Sequence, residues 1–251
     1  MLTVQDMELA RLISMVELEK EFKNNVILNY ICHDYYETPA LQMVSIGLPY
    51  QIDMSFEKNA MLNSYYINRY DYIRSVGTVS VSDDLNGRTT YDISGNYWGT
   101  TNPDLVKVQC LDADWDVSRN DLIQEPYLTL DDDMSEIYPF VTEAYLTDKD
   151  GNRIDKVSGA QTVKMHVKFN RDMASDIQPM VTYGGSEPYT DFAVSGDWAN
   201  AREWVGEFKI DPYIDLGTMY IRVKGAAAAD DKWLVTGNDW GRFKFEITNS
   251  S

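Results

Sequence analysis

The sequence predicts an all-β chain made of two kinds of β-structure, a short solenoid of stacked coils followed by an antiparallel sandwich. Three features predict it: an internal repeat in the first half, strand-like alternation through the second, and a change of patterning at Pro139, after an acidic stretch at 131–136. The expected boundaries are 1–130 for the solenoid, 131–138 for an acidic linker and 139–251 for the sandwich.

At the start, Leu9, Leu12, Ile13 and Val16 follow helical spacing after Asp6, a candidate N-cap. This segment reads either as a helix covering the open end of the solenoid or as a degenerate first coil. The repeat comes next. FKNNVILN at 22–29 aligns with FEKNAMLN at 56–63, an offset of 56 − 22 = 34 residues that matches Phe22 with Phe56, Asn25 with Asn59 and Leu28 with Leu62. A partial third copy, ISGN at 93–96, again places an asparagine, Asn96, three residues after an apolar one. Asparagine at the bend after a strand tolerates left-handed backbone, and its amide can bond to its own backbone and to the same residue of the next coil. Stacked coils would therefore carry an asparagine ladder; ordinary hairpins with turn asparagines are the competing reading. Short β-rich stretches at 40–46, 64–67 and 77–81 have the length of solenoid strands. A single coil leaves its strand edges unpaired, so its stability has to come from stacked neighbours.

The most specific segment is ISGNYWGTTNPDLV at 93–106, continuing through LDADWDV at 111–117 to EPYL at 125–128. Trp98 can cover a last apolar layer, Gly99 permits the bend after it, and Pro103 suits the first turn of a short helix through Leu105, Val106 and Val108. These residues resemble the terminal coil of right-handed parallel β-helix proteins of the pectate-lyase-like repeat type. In that family an Asn-x-Trp-Gly segment, a Pro-containing turn, a short helix, an acidic stretch and a final Pro-Tyr-Leu close the solenoid. Asn96, Trp98, Gly99, Pro103, Pro126, Tyr127 and Leu128 occupy those places. The resemblance implies a right-handed parallel β-helix of about three coils.

Beyond Pro139, apolar and polar residues alternate at Val163, Met165, Val167 and Phe169, at Trp204, Phe208 and Ile210, at Met219, Ile221 and Val223, and at Phe243, Phe245 and Ile247. The DKDGN run at 148–152 is a hairpin turn. About seven such strands fit an antiparallel sandwich. KFNRDM at 168–173 followed by PMVTYG at 179–184 resembles the bacterial Ig-like modules of cell-surface proteins, implying an Ig-like β-sandwich.

Composition narrows the function classes. A formal net charge of −18 and a pI near 4.4 repel phosphate backbones and anionic headgroups, which argues against nucleic-acid and membrane-surface partners. Acidic polysaccharides would be repelled as well unless a divalent cation bridged them. No apolar run approaches the length of a bilayer span, so no membrane insertion is expected. The two cysteines, Cys32 and Cys110, read as buried free thiols. His33 and His166 lack ligand-spaced partners and read as packed or solvated side chains. Met1 to Glu21 lacks the pattern of a signal peptide, so the extracellular placement implied by the resemblance puts the natural start upstream of Met1.

No catalytic residues are assigned. Asp53, Glu57, Asp71, Asp83, Asp84 and Asp92 are read as scattered solvated carboxylates rather than a paired acid and base. Candidate carbohydrate contacts are Tyr66, Tyr70 and Tyr72, from a cluster that also holds Tyr65, together with Trp233 and Trp240, which flank a loop. Such rings offer flat apolar faces with hydrogen-bonding edges, although stacking between coils is the alternative for the tyrosines. Trp198 and Trp204 also lie in the second half, Trp204 on a core-like strand position. Asp112, Asp114 and Asp116, at alternate positions, are a candidate calcium site; a solvated linker is the alternative. The two resemblances imply a non-catalytic stalk or adhesion module of an extracellular bacterial surface protein, and the aromatic candidates add contact with glycan or cell-wall polysaccharide. The alternative is the non-catalytic end of a secreted polysaccharide lyase or glycoside hydrolase.

Overall fold

A computed structural model describes residues 21–28, 41–43, 55–62, 79–81, 90–107, 109–114, 117, 120–210, 216–235 and 242–249. The helical spacing at 9–16 and the stretch at 64–67 lie outside these residues. The chain divides into two compact units, Met1–Ile137 and Tyr138–Ser251. The described residues are all-β apart from one five-residue helix. Among them, no helix is long and apolar enough to cross a membrane.

In the first unit the strands are short and pair in parallel. They are β1 (Glu21–Lys23), β2 (Val26–Leu28), β3 (Leu41–Met43), β4 (Ser55–Glu57), β5 (Ala60–Leu62), β6 (Val79–Val81), β7 (Thr90–Asp92), β8 (Cys110–Leu111) and β9 (Asp121–Ile123). β1 lies on β4 with Phe22 opposite Phe56, β2 on β5, β3 on β6 and β6 on β8, and β7 on β9. Between β1 and β2, and between β4 and β5, the chain turns a corner at two residues. Corner backbones stack: Asn24 N–H donates to Lys58 O, Lys58 N–H to Gly95 O, and Gly95 N–H to Pro126 O, at 2.6–2.8 Å. The left-handed residue at each corner is Asn24 (φ 62°), Lys58 (φ 54°) or Gly95 (φ 69°), which precedes the repeated asparagine. The expectation that Asn25, Asn59 and Asn96 themselves supply the left-handed bend is thus corrected. Their side chains are needed for bonding across the corner, so the backbone reversal falls one residue earlier.

Those bonds form a continuous chain. Asn59 Oδ1 accepts the backbone N–H and Nδ2 of Asn25, and Asn96 Oδ1 accepts the same two donors of Asn59, at 2.9–3.1 Å. Asn96 Nδ2 donates to Ile93 O (2.7 Å) and Phe56 O (2.9 Å). Asn59 and Asn96 are fully buried, as are Ala60, Met61, Leu62, Ile93 and Trp98. The Asn59 and Asn96 amides are buried at little cost because their own donors and acceptors are paired, whereas Asn24 Oδ1 and Trp98 Nε1 are buried without a hydrogen-bond partner among the described residues. After Trp98 the chain bends at Gly99 (φ 72°), where a side chain would press on Met61 O at 3.3 Å. Helix α1 (Pro103–Lys107) follows, capped by Asn102 Oδ1 accepting Asp104 N–H at 3.0 Å. Gln109 ties the helix back by donating to Trp98 O (3.1 Å) and Leu105 O (3.3 Å). The 131–138 segment, read from sequence as a linker, carries two buried apolar side chains, Met134 and Ile137, joined by a turn hydrogen bond.

The second unit holds two five-stranded sheets. Its strands are β10 (Val141–Thr147), β11 (Arg153–Ile154), β12 (Lys156–Ser158), β13 (Thr162–Phe169), β14 (Met180–Gly184), β15 (Phe192–Val194), β16 (Gly196–Asn200), β17 (Glu203–Lys209), β18 (Gly217–Lys224) and β19 (Lys244–Thr248). One sheet runs β11-β10-β13-β17-β16 and the other β12-β19-β18-β14-β15. All pairs are antiparallel except β12 with β19. Alternation along β13 sends Val163, Met165, Val167 and Phe169 inward, where they meet Val181, Ile221, Val223, Phe245 and Ile247 of the other sheet in one core. Tyr183 anchors that core between Phe192, Phe208 and Phe245, and burial pushes its phenol up to about 12.

The FNRDM segment closes the end of this unit. Asn170 Oδ1 accepts Phe140 N–H (2.8 Å) and its Nδ2 donates to Tyr138 O (3.2 Å). Arg171, almost buried, holds Asp230 at 2.6 Å and Asp231 at 3.3 Å, and Asp172 pairs with Arg202 at 2.6 Å. The motif therefore fixes loops at 138–140, 201–202 and 230–231.

Candidate functional site

The residues singled out from sequence scatter when placed. Tyr66, Tyr70, Tyr72, Trp240, Asp116, Cys32 and His33 lie outside the described residues. Trp204 is buried in the core, and Trp198 packs on Phe169 with its Nε1 donating to Ile177 O at 3.1 Å. Trp233 is 39% exposed beside exposed Leu234, with its ring edge-on to Tyr138 at 5.0 Å. It is the one described candidate sugar contact with a free flank.

Asp112 and Asp114 sit in the turn after β8. Asp112 is buried; its Oδ1 accepts Asp114 N–H (3.1 Å) and its Oδ2 accepts Gln124 Nε2 (3.2 Å). Asp114 faces outward and pairs with Lys107 at 2.6 Å. Both carboxylates thus have protein partners, and the described residues contain no group of three or more His, Cys, Asp or Glu able to hold a metal ion. Burial is the dominant influence on Asp112 and, only partly offset by its hydrogen bonds, raises its carboxyl above the ordinary value. A carboxyl raised on folding weakens the fold at pH above both its folded and unfolded values. The penalty fades as pH falls through the folded one. Asp112→Asn keeps the Oδ1 acceptor for Asp114 N–H but sets an NH2 where Oδ2 accepts Gln124, whose amide then has to turn its Oε1 inward; with that bond remade, the variant is expected to raise the melting temperature at pH 7, with the gap closing under acid, and a calorimetric pH series measures it. Cys110 is a buried free thiol whose burial pushes its ionisation up, away from reactivity.

A constellation that sequence reading did not assemble lies on the outward face of the β10–β13 sheet. Alternation turns Glu143, Tyr145 and Thr147 outward on β10, and the register sets them opposite Lys168, His166 and Lys164 of β13. The Tyr145 and His166 rings stack at 5.0 Å, 3° from parallel. The Arg153 guanidinium lies 4.3 Å from the Tyr145 ring centroid. His166 donates from Nδ1 to Glu203 Oε1 at 2.9 Å, because a carboxylate only accepts; in the neutral ring, Nε2 then takes the Thr147 hydroxyl at 3.0 Å. Glu143 receives Arg153 at 2.8 Å and Lys168 at 3.1 Å. Partial burial opposes its ionisation, but these two cations outweigh burial and hold its carboxyl below the usual value.

Beside this array an open groove of about 530 Å³ is lined by Tyr145, Thr147, Arg153, Lys164, His166 and the 148–151 turn. Asp148 shapes that turn by accepting the N–H groups of Asp150 and Asn152 at 2.9 Å, with Gly151 left-handed at φ 85°. Alternation marks which residues of one strand face outward, but register across four strands, β11, β10, β13 and β17, is what brings the residues together.

No family model and no curated protein matches the chain. Among solved structures, the C-terminal domain of wzt aligns over 45% of this chain and 75% of its own, with 8% identity and a TM-score of 0.30. At that TM-score the likeness bears on neither fold family nor function.

Proposed function

We propose that this chain is a non-catalytic part of an extracellular bacterial surface protein. In this reading, the first unit is the closing coils of a right-handed parallel β-helix and acts as a stalk, and the second is an Ig-like β-sandwich that contacts carbohydrate. The observation that carries the proposal is the corner stack of the first unit, in which Asn25, Asn59 and Asn96 bond in series and backbone pairs run through Asn24, Lys58, Gly95 and Pro126. Each layer satisfies the next, which suits a rigid extended support and gives the chain no need of a ligand to complete it. The Trp98 layer with its capped helix fits the closing end of such a stack. Support for carbohydrate contact comes from the partly exposed indole of Trp233.

A glycan array probed with the whole chain, run beside lyase and hydrolase assays on acidic and neutral polysaccharides, tests this reading. Glycan binding without depolymerisation is expected, with Trp233→Ala weakening it severalfold. Depolymerisation by the chain itself would overturn the stalk reading in favour of an enzyme.

A further inference from the structure

The groove on the outward face of the β10–β13 sheet combines cationic, acidic and aromatic groups on a chain whose net charge is −18. Lys149 and Lys164 line it, and among the described residues neither has a carboxylate partner, whereas Arg153 and Lys168 are already paired with Glu143. Asp150 also lines it: its backbone N–H is used by the turn, and its exposed carboxylate is not. Thr147 and His166 form the floor, fixed to each other and to Glu203, so the polar groups are preorganised rather than floppy. A volume near 530 Å³ falls in the range of small-molecule sites.

The mixture of charges selects the ligand. A bare phosphate or sulfate would meet two lysines but also the Asp148 and Asp150 carboxylates at the same rim. A neutral sugar would use Asp150 as a hydroxyl acceptor and leave both ammonium groups unanswered. A pyranose carrying one carboxylate uses both: its acid meets Lys149 and Lys164, and its hydroxyls meet Asp150. A run of carboxylates is disfavoured by the net charge of −18. We propose that this groove binds a sugar unit bearing a single carboxylate, such as a terminal uronate. The proposal rests on the carbohydrate half of the reading above and names its chemistry and its place.

The test titrates the whole chain by calorimetry with a disaccharide ending in glucuronate, its neutral glucose twin, a tetramer of galacturonate and inorganic phosphate. The glucuronate disaccharide is expected to bind, the neutral twin at least tenfold more weakly. Lys149→Gln with Lys164→Gln should weaken the acidic disaccharide at least tenfold while leaving circular dichroism and melting unchanged, since both side chains are exposed. Binding that survives the double variant overturns the groove while leaving carbohydrate contact elsewhere intact. No binding of the three glycans overturns the groove, and a blank glycan array beside it overturns carbohydrate contact as well. Phosphate binding as tightly as the disaccharide overturns the sugar, and a tetramer binding more tightly than the disaccharide overturns the single-carboxylate limit.

Discussion

Replacing Asn96 with alanine is expected to cost about 3–5 kcal/mol and to open the corner of the first unit. The Asn96 amide is fully buried and satisfies groups on two layers at once. Its Oδ1 takes both the backbone N–H and Nδ2 of Asn59, and its Nδ2 serves Ile93 O and Phe56 O. Alanine takes the Asn96 acceptor away from the Asn59 backbone N–H and from one Nδ2 hydrogen, while Nδ2 keeps Glu57 O at 3.0 Å; each buried hydrogen bond lost in this way costs about 1–3 kcal/mol. Because Asn59 in turn holds Asn25, the loss propagates up the stack. Asn96→Asp separates shape from bonding, since it keeps an acceptor for Asn59 but places a charge against the Ile93 and Phe56 carbonyls. Hydrogen exchange read by mass spectrometry is the measurement. Protection should fall across 55–62 and 90–98 in Asn96→Ala while β13 and β17 keep theirs. Unchanged protection at 55–62 would show that the corner stands without the ladder.

The ladder shows what a sequence carries and where it is ambiguous. Repetition marked Asn25, Asn59 and Asn96 as equivalent, because a buried amide stacked on its copies tolerates no other side chain. The left-handed corner was misplaced by one residue because the first copy has asparagine at both 24 and 25, and either suits φ > 0. Only Gly95 in the third copy hinted at the true position. In the second unit, alternation exposed the inward residues of β13 and β18, since burial imposes period two on a half-buried strand. The Tyr145, His166 and Arg153 array was not legible. Alternation says which residues share a face of one strand, but partners across strands depend on register, which the turn at 148–152 and the shift between Val141 and Glu143 settle locally. Trp204 and Trp233 were separable by the same logic: Trp204 sits at an alternating strand position and is buried, whereas Trp233 flanks a loop and is partly exposed.

Trp204→Ala is expected to destabilise the second unit by about 3–5 kcal/mol, the range for emptying a large aromatic site in a core. The surrounding geometry makes a sharper prediction. β16 and β17 place Gly196 directly opposite Gly206, and the Trp204 indole, two residues before Gly206 and on the same face, lies over both. A side chain at Gly196 would fall against Val205 O and 2.5 Å from both Gly206 Cα and Trp204 Cζ2; one at Gly206 would fall 2.5 Å from Trp204 Cη2 and 2.6 Å from Val194 Cγ1. The glycines are required by close approach, since neither has the positive φ that would otherwise explain it. Gly206→Ala therefore has to displace both the ring and the Val194 side chain, with backbone Ser195 O also too close at 2.9 Å, at about 1–3 kcal/mol. Trp204→Phe removes Cη2 and should relieve the ring's share of that cost, the Val194 and Ser195 contacts remaining, so the two changes together should destabilise by less than their sum, with a coupling of about 0.5–1 kcal/mol. Gly196→Ala should be rescued less, because Val205 O and Gly206 Cα are backbone and remain when the indole is gone. Denaturant unfolding of the four combinations measures this. Additive losses at Gly206 would mean that the indole can move aside without cost, and that the glycine pair is not what seats it.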